Sequence, residues 1–282
     1  MSAIPDLRPS PIAGRWYPGD PAHLTRLVDG YIHDAVLPPL AGEVVAVISP
    51  HAGYRYSWRT AGHAFRAVLG RQVDVVAVLS PLHAYHPGAL LTSAHRAYQT
   101  PLGAVEIDRA LVERLDTLLR ARGSAGLNAV ANDEEHSLEI ELPFLQRALG
   151  APFKLVPVML RSQQFATANS LGQALAELLT GRNALIVASS DLSHFYTENV
   201  ANELDTVMLA NIERFSPEGV LEAEYTQSGF ACGVGAIAAA LWAARGLGAD
   251  RVQVVHHSTS ADETHDPGEV VGYGAAVVTR PV

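Results

Sequence analysis

Three histidines and the only cysteine of this chain lie just past the ends of apolar runs, where they can meet around one ion or one proton. Val44–Ser49 leads into Pro50-His51-Ala52-Gly53-Tyr54, Val73–Ser80 into Pro81-Leu82-His83, and Ala184–Ser190 into Asp191-Leu192-Ser193-His194. Cys232 sits in Gly229-Phe230-Ala231-Cys232-Gly233, just before an Ala-rich helix. Imidazole and thiolate suit zinc, copper and iron. Open α/β sheets bind their ligands beyond the carboxyl ends of the strands. His51, His83, His194 and Cys232 are therefore read as one site.

Each residue also has a plainer reading. His51 can be a turn histidine satisfied by backbone, with Gly53 allowing the tight turn. His83 and His86 have a His-x-x-His spacing, and His83 is preferred because it lies nearer the strand end. Asp191, three residues before His194, can fix the imidazole tautomer or cap a helix. A histidine there suits acid/base work because its ordinary pKa lies near neutrality. Free cysteines are usually buried and inert, but a helix N-terminus at Cys232 would favour the thiolate. Glu134-Glu135-His136-Ser137-Leu138-Glu139 reads as a first helical turn whose acids suit the macrodipole. His136 and Glu139 share a face there and, with Tyr54, are candidates for the pocket lining. His256 and His257 fall on opposite faces of a predicted strand, so they are not ligands of one ion. His95 reads as structural or exposed, and His265 lies in a polar loop.

The elements that must position these residues alternate. Strands are predicted at Val44–Ser49, Val73–Ser80, Gly88–Ser93, Lys154–Leu160, Ala184–Ser190, Arg251–Ser258 and Val270–Thr279. Helices are predicted at His23–Ala35, Thr60–Leu69, Asp108–Arg122, Glu134–Leu149, Ser162–Leu179, Asn199–Arg214, Pro217–Tyr225 and Gly233–Arg245. Alternation of this kind gives an α/β fold, a mainly parallel or mixed central sheet with helices on both faces. No composition break marks a boundary, so residues 1–282 are read as one domain. Pro- and Gly-rich residues 5–22 form an irregular segment that Trp16 and Tyr17 pin to the core.

Apolar residues are 48% and charged residues only 17% of the 282, which fits a well-buried enzyme-like domain. Net charge is −9 with no Lys/Arg cluster, which argues against a nucleic-acid partner. One cysteine excludes an internal disulfide. The segment Met1–Asp6 has no basic region followed by an apolar one, and no apolar run reaches the ~20 residues of a membrane span. The expected setting is the cytoplasm, without a membrane. There is no Walker A sequence, dinucleotide fingerprint or nucleophile elbow.

Taken together, several stretches resemble the Memo family. They are Arg8–Pro18, Ser49-Pro50-His51-Ala52-Gly53-Tyr54, Tyr98-Gln99-Thr100-Pro101-Leu102-Gly103, Glu134–Glu139, Ser189–His194 and Cys232-Gly233. They run in order along nearly the whole chain. The resemblance implies the fold of class III extradiol dioxygenases, which hold non-haem Fe(II) with two histidines and a carboxylate. It implies His51 and His83 as metal ligands, Cys232 in place of the carboxylate, and His194 as the acid/base histidine with Asp191 beside it. Thiolate shifts the preference toward copper or zinc while iron remains compatible, so the implied cofactor is Fe(II) or Cu, with Zn as a third choice.

Three functions are then in competition. The first is metal-dependent redox or oxygenase-type chemistry on a small molecule. The second is a binding module that uses the same pocket for a peptide or anion, as the resemblance to animal members implies. Resemblance to bacterial members implies an accessory role beside a radical S-adenosylmethionine protein. The third is cysteine hydrolysis with Cys232 activated by His194, which leaves His51 and His83 without a task.

Overall fold

The computed structural model describes residues 6–282; residues 1–5, most of the Met1–Asp6 segment, lie outside them. The chain opens with β1 (Leu7–Arg8), α1 (Pro21–Asp34), β2 (Glu43–Ser49), α2 (Tyr54–Arg66), β3 (Val75–Pro81) and β4 (Leu90–Ser93). It continues through β5 (Ala97–Thr100), β6 (Gly103–Glu106), α3 (Arg109–Ala121), β7 (Leu127–Val130), α4 (Leu142–Ala148), β8 (Lys154–Leu160) and α5 (Phe165–Leu179). It closes with β9 (Ala184–Ser189), β10 (His194–Tyr196), α6 (Glu198–Glu213), α7 (Pro217–Tyr225), α8 (Val234–Gly246), β11 (Arg251–Thr259), α9 (Ala261–Thr264) and β12 (Val270–Arg280).

One mixed sheet of nine strands organises the molecule, in the order β10-β12-β2-β9-β3-β8-β4-β7 with β11 also paired to β12. Its centre, β2-β9-β3-β8, is parallel, whereas β12, β11 and β4 join antiparallel. All seven residues of β3 and six of seven in β2 are buried, which explains their unbroken apolar runs. Helices α1, α2 and α4 cover one face, and α5, α6, α7 and α8 the other. His256 and His257 report the two faces: His256 bonds Thr60 of α2 at 2.9 Å, and His257 bonds Asp205 of α6 at 2.8 Å.

The parallel centre matters because β2, β3 and β9 all end on the same side. Ser49 and Ser189 are register partners at that end. The start of α8 is drawn in close: a Cβ on Gly233 would lie 2.5 Å from the Ser189 carbonyl oxygen. Only glycine permits that approach, and it sets Cys232 beside the β9 end.

Several predicted boundaries change. The helix expected at Thr60–Leu69 begins at Tyr54, whose N–H is taken by the Trp16 carbonyl, and the Ser57 hydroxyl in its first turn donates to the Ala52 carbonyl. The helix expected over Glu134–Leu149 is confined to α4. Before it come an irregular stretch and a 3-10 turn, Glu139–Glu141, because Glu135 turns its carboxylate toward His83. The hairpin β5–β6 and the short strands β1, β7 and β10 carry too few residues for a period to show. The strap at residues 9–20 is pinned as expected: the Tyr17 hydroxyl donates to Glu139 at 2.7 Å, and Trp16 packs on His136. Among the described residues, no helix is long and apolar enough to cross a membrane.

Candidate metal centre

Three strand ends deliver the site. Pro50 redirects the chain after β2 and leaves His51 buried. His83 follows β3 by two residues. The β9 end carries Ser189, then Asp191, and His194 opens β10 against β12. His136 comes from the irregular stretch before α4.

His51, His83 and His136 place one ligand nitrogen each within 4.8 Å of one another. The rings of His83 and His136 stack at 4.8 Å, and His51 meets both nearly edge-on at 5.4 and 5.5 Å. Two of the three Nδ1 atoms are hydrogen-bonded from behind. His83 Nδ1 donates to Glu135 Oε1 at 2.9 Å, and His136 Nδ1 lies 3.3 Å from the same oxygen. His51 Nδ1 meets Ser189 Oγ at 2.9 Å, and that hydroxyl donates onward to the Ser137 carbonyl at 2.6 Å, so the ring is the donor. That leaves Nε2 of His51 and of His83 as the nitrogens available to an ion. Fixing Nδ1 by a hydrogen bond is how proteins set the tautomer of a ligating histidine.

Electrostatics differ from ring to ring. Burial holds His51 well below the usual imidazole range, with His136 and His83 adding to the effect. Burial also pushes His136 down to about 4, against the pull of Glu135. Both are therefore neutral near pH 7, the form that binds metal. The hydrogen bond that the His83 ring donates to Glu135 raises His83 above its ordinary value. Burial alone would raise Glu135, but the His83 ring, two backbone N–H groups and the His83 charge outweigh it and hold the carboxylate ionised.

Asp191 is buried below His51 and accepts the N–H groups of His51 and Ala52 at 2.7 and 3.2 Å. Burial outweighs the pull of His194 and of the two N–H groups and raises it to about 6. His194 Nδ1 bonds the Leu192 carbonyl at 2.8 Å, so Nδ1 carries the proton and Nε2 is bare. Cys232 Sγ lies 3.1 Å from His51 Nε2. Against the expected effect of the α8 N-terminus, burial and then the Asp191 charge push the Cys232 thiol up in the ion-free protein. Cys232 touches His51 but is not one of the three-imidazole group.

These groups open into a cleft of about 800 Å³ walled by Trp16, Arg15, Arg55, Phe195 and Tyr273, with His51, His83, His136, Asp191 and His194 at its base. Phe195 is 71% exposed at its lip with φ 63°, a conformation that strains a bulky side chain. Two predicted pocket residues lie elsewhere. Glu139 turns away from the cleft to Arg8, Ser10 and Tyr17, because the buried guanidinium of Arg8 needs a carboxylate at 2.5 Å. Tyr54 is buried behind the site, its hydroxyl donating to the Ile140 carbonyl at 2.8 Å. His86 accepts the Gly88 N–H, and His95 accepts the Asn132 N–H. His265 ends α9 with φ 58°.

A family profile for Memo-like proteins matches residues 8–277. The chain belongs to the Memo family. A MEMO1 family protein of Methanopyrus kandleri is 31% identical over 279 residues, covering 95% of this chain and 98% of that one. Another, from Archaeoglobus fulgidus, is 34% identical over 268 residues, covering 94% and 97%. In fold, the chain is similar to an uncharacterized protein of Escherichia coli K12, with TM-score 0.50 at 15% identity over 83% of this chain and all of that one. Membership spans nearly the whole chain, so the Memo family's architecture includes both the strand ends that carry the histidines and the strap that carries Trp16.

The functional residues that sequence reasoning missed are Glu135 and Ser189. Both are helpers to a histidine. Glu135 lay inside a stretch that reads as a helical first turn, and Ser189 lay inside a strand.

Proposed function

We propose that this Memo-family protein binds a transition-metal cation and uses it for redox or oxygenase-type chemistry on a small molecule in the cleft. The observation that carries the reading is three imidazoles that each place one nitrogen within 4.8 Å of the others, two of the rings tethered through Nδ1. The donor set fits such an ion: neutral imidazoles suit iron, copper and zinc, and the ionised Glu135 beside two of them offsets positive charge. His51, His83 and His136 would hold the ion, with the Cys232 thiol poised on His51 as a further donor. A metal bound there would supply Lewis acidity and one-electron redox capacity.

The chain's own groups do the rest. His194 presents a bare Nε2 at the base of the cleft and can take or return a substrate proton. Asp191 lies buried at the base of the same cleft, held by the backbone N–H groups of His51 and Ala52. Trp16 and Phe195 line the cleft beside the histidines.

The reading is tested by metal content of protein purified anaerobically without added metal, for wild type and Cys232→Ser. Near-stoichiometric iron or copper supports it. No metal, and no uptake of Fe(II), Cu(I) or Zn(II), overturns it. A second reading, a module that binds an anionic small molecule or peptide, is favoured by Arg15 and Arg55, which line the cleft with no ion-pair partner among the described residues. It predicts ligand binding that survives loss of the histidines.

A further inference from the structure

Five carboxylates are buried among the described residues: Glu135, Glu139, Glu141, Asp191 and Asp205. Four have donors that suit an anion. Glu135 has His83 and three backbone N–H groups, and Glu139 has Arg8, Ser10 and Tyr17. Asp191 has two backbone N–H groups, and Asp205 has His257 and the Ser193 N–H. Glu141 has neither a cation nor an N–H group, and its Oε1 makes no hydrogen bond at 1% exposure. A buried polar atom left unpaired is costly and calls for an explanation.

Its surroundings supply one. Glu141 ends the 3-10 turn and sits beside the hydroxyls of Ser49 at the end of β2 and Ser189 at the end of β9. Tyr54 of α2 faces it, and the Asp191 charge lies beyond. None of these groups is cationic. Ser189 is the same hydroxyl that accepts His51 Nδ1–H. His83 has a carboxylate directly behind its Nδ1, and His51 has one behind an intervening serine.

We propose that Glu141 is the charge partner of the His51 side of the centre: protonated in the cation-free protein, it releases its proton to solvent when a divalent cation takes His51 Nε2. The hydrogen bonds permit this. A cation on Nε2 makes Nδ1–H a stronger donor to Ser189 Oγ. The Ser189 hydroxyl, which donates to the Ser137 carbonyl, then turns to the new carboxylate. One proton leaves, one negative charge appears behind His51, and no bond other than O–H is broken. Burial, which raises Glu141 to about 8, supports the protonated resting form.

This inference rests on the cation reading above, and the test separates the two. Metal-free wild type and Glu141→Gln are titrated with Zn(II) at pH 7 by calorimetry in buffers of different ionisation enthalpy, which counts protons released. Wild type should release about one proton more per ion than the variant. Protons from Cys232 or a histidine appear in both and cancel. Infrared difference spectra provide a second readout: a protonated-carboxyl C=O band, absent from Glu141→Gln, should vanish in wild type on Zn(II) addition. Equal proton release, or no such band, overturns the role of Glu141 while leaving the cation site standing. No uptake of Zn(II) by wild type overturns both.

Discussion

His83 and His51 present the same atom to the cleft but are supported in opposite ways. Behind His83 stands Glu135, an ionised carboxylate that accepts the His83 ring N–H, the His83 backbone N–H at 2.6 Å and two further backbone donors. Behind His51 stand a serine hydroxyl and then Glu141, a carboxyl with no N–H donor. One side of the centre is therefore charged in advance, and the other is neutral. The difference follows from depth. His83 is partly exposed at 41% of its side chain, whereas His51 is buried at 2%. A fixed anion behind a buried, uncharged imidazole would lack compensation until a cation arrived.

Among the groups behind the histidines, replacing the charged side should have the largest effect. Glu135→Gln keeps the shape but cannot accept from all four donors, and cation affinity is expected to fall about 10- to 100-fold by titration. Ser189→Ala removes the link behind His51 and should cost nearer tenfold. It should also abolish the difference in proton release between wild type and Glu141→Gln. If Ser189→Ala bound Zn(II) like wild type, the two sides would not be comparable.

The neutral side should reveal itself through pH. Glu141 has its folded value raised to about 8 by burial, so between its ordinary value and 8 the folded chain holds a proton that the unfolded chain has lost. The stability tied to that proton is complete at low pH and is lost as pH rises through about 8. Metal-free Glu141→Gln should match wild type below pH 4.5 and melt a few degrees higher at pH 9. Parallel melting curves for the two proteins across that range would contradict the assignment. The smallest effect on uptake is expected for His194→Ala, within about twofold of wild type, because that ring lies outside the three-imidazole group. Any turnover should fall sharply in the same variant.

The strand-end histidines were legible because β2, β3 and β9 are buried on both faces. Such strands read as continuous apolar runs, and Pro50 and Pro81 mark where the chain leaves the sheet. The supports behind the histidines were not legible. Glu134-Glu135-His136 has the composition of a helical first turn, and nothing local says that Glu135 instead reaches across 52 positions to His83. Glu139 and His136 share a face only in a regular helix, and the irregular stretch turns one to Arg8 and the other to the cleft. The mixed character of the sheet was open from sequence, since strand direction depends on connections that β12 and β4 make at long range. The burial that pushes the Cys232 thiol up in the ion-free protein was not legible either, since the local sequence shows only the helix N-terminus.

The most direct test is an anaerobic calorimetric titration of metal-free protein with Zn(II), comparing wild type with His51→Ala, His83→Ala and His136→Ala. Wild type should take up one equivalent, and each variant should bind more than about 100-fold more weakly, beyond the loss expected for removing a supporting group. Cys232→Ser run alongside shows whether sulfur joins the imidazoles. Variants that bind Zn(II) as wild type does would contradict a cation centre built on these three rings.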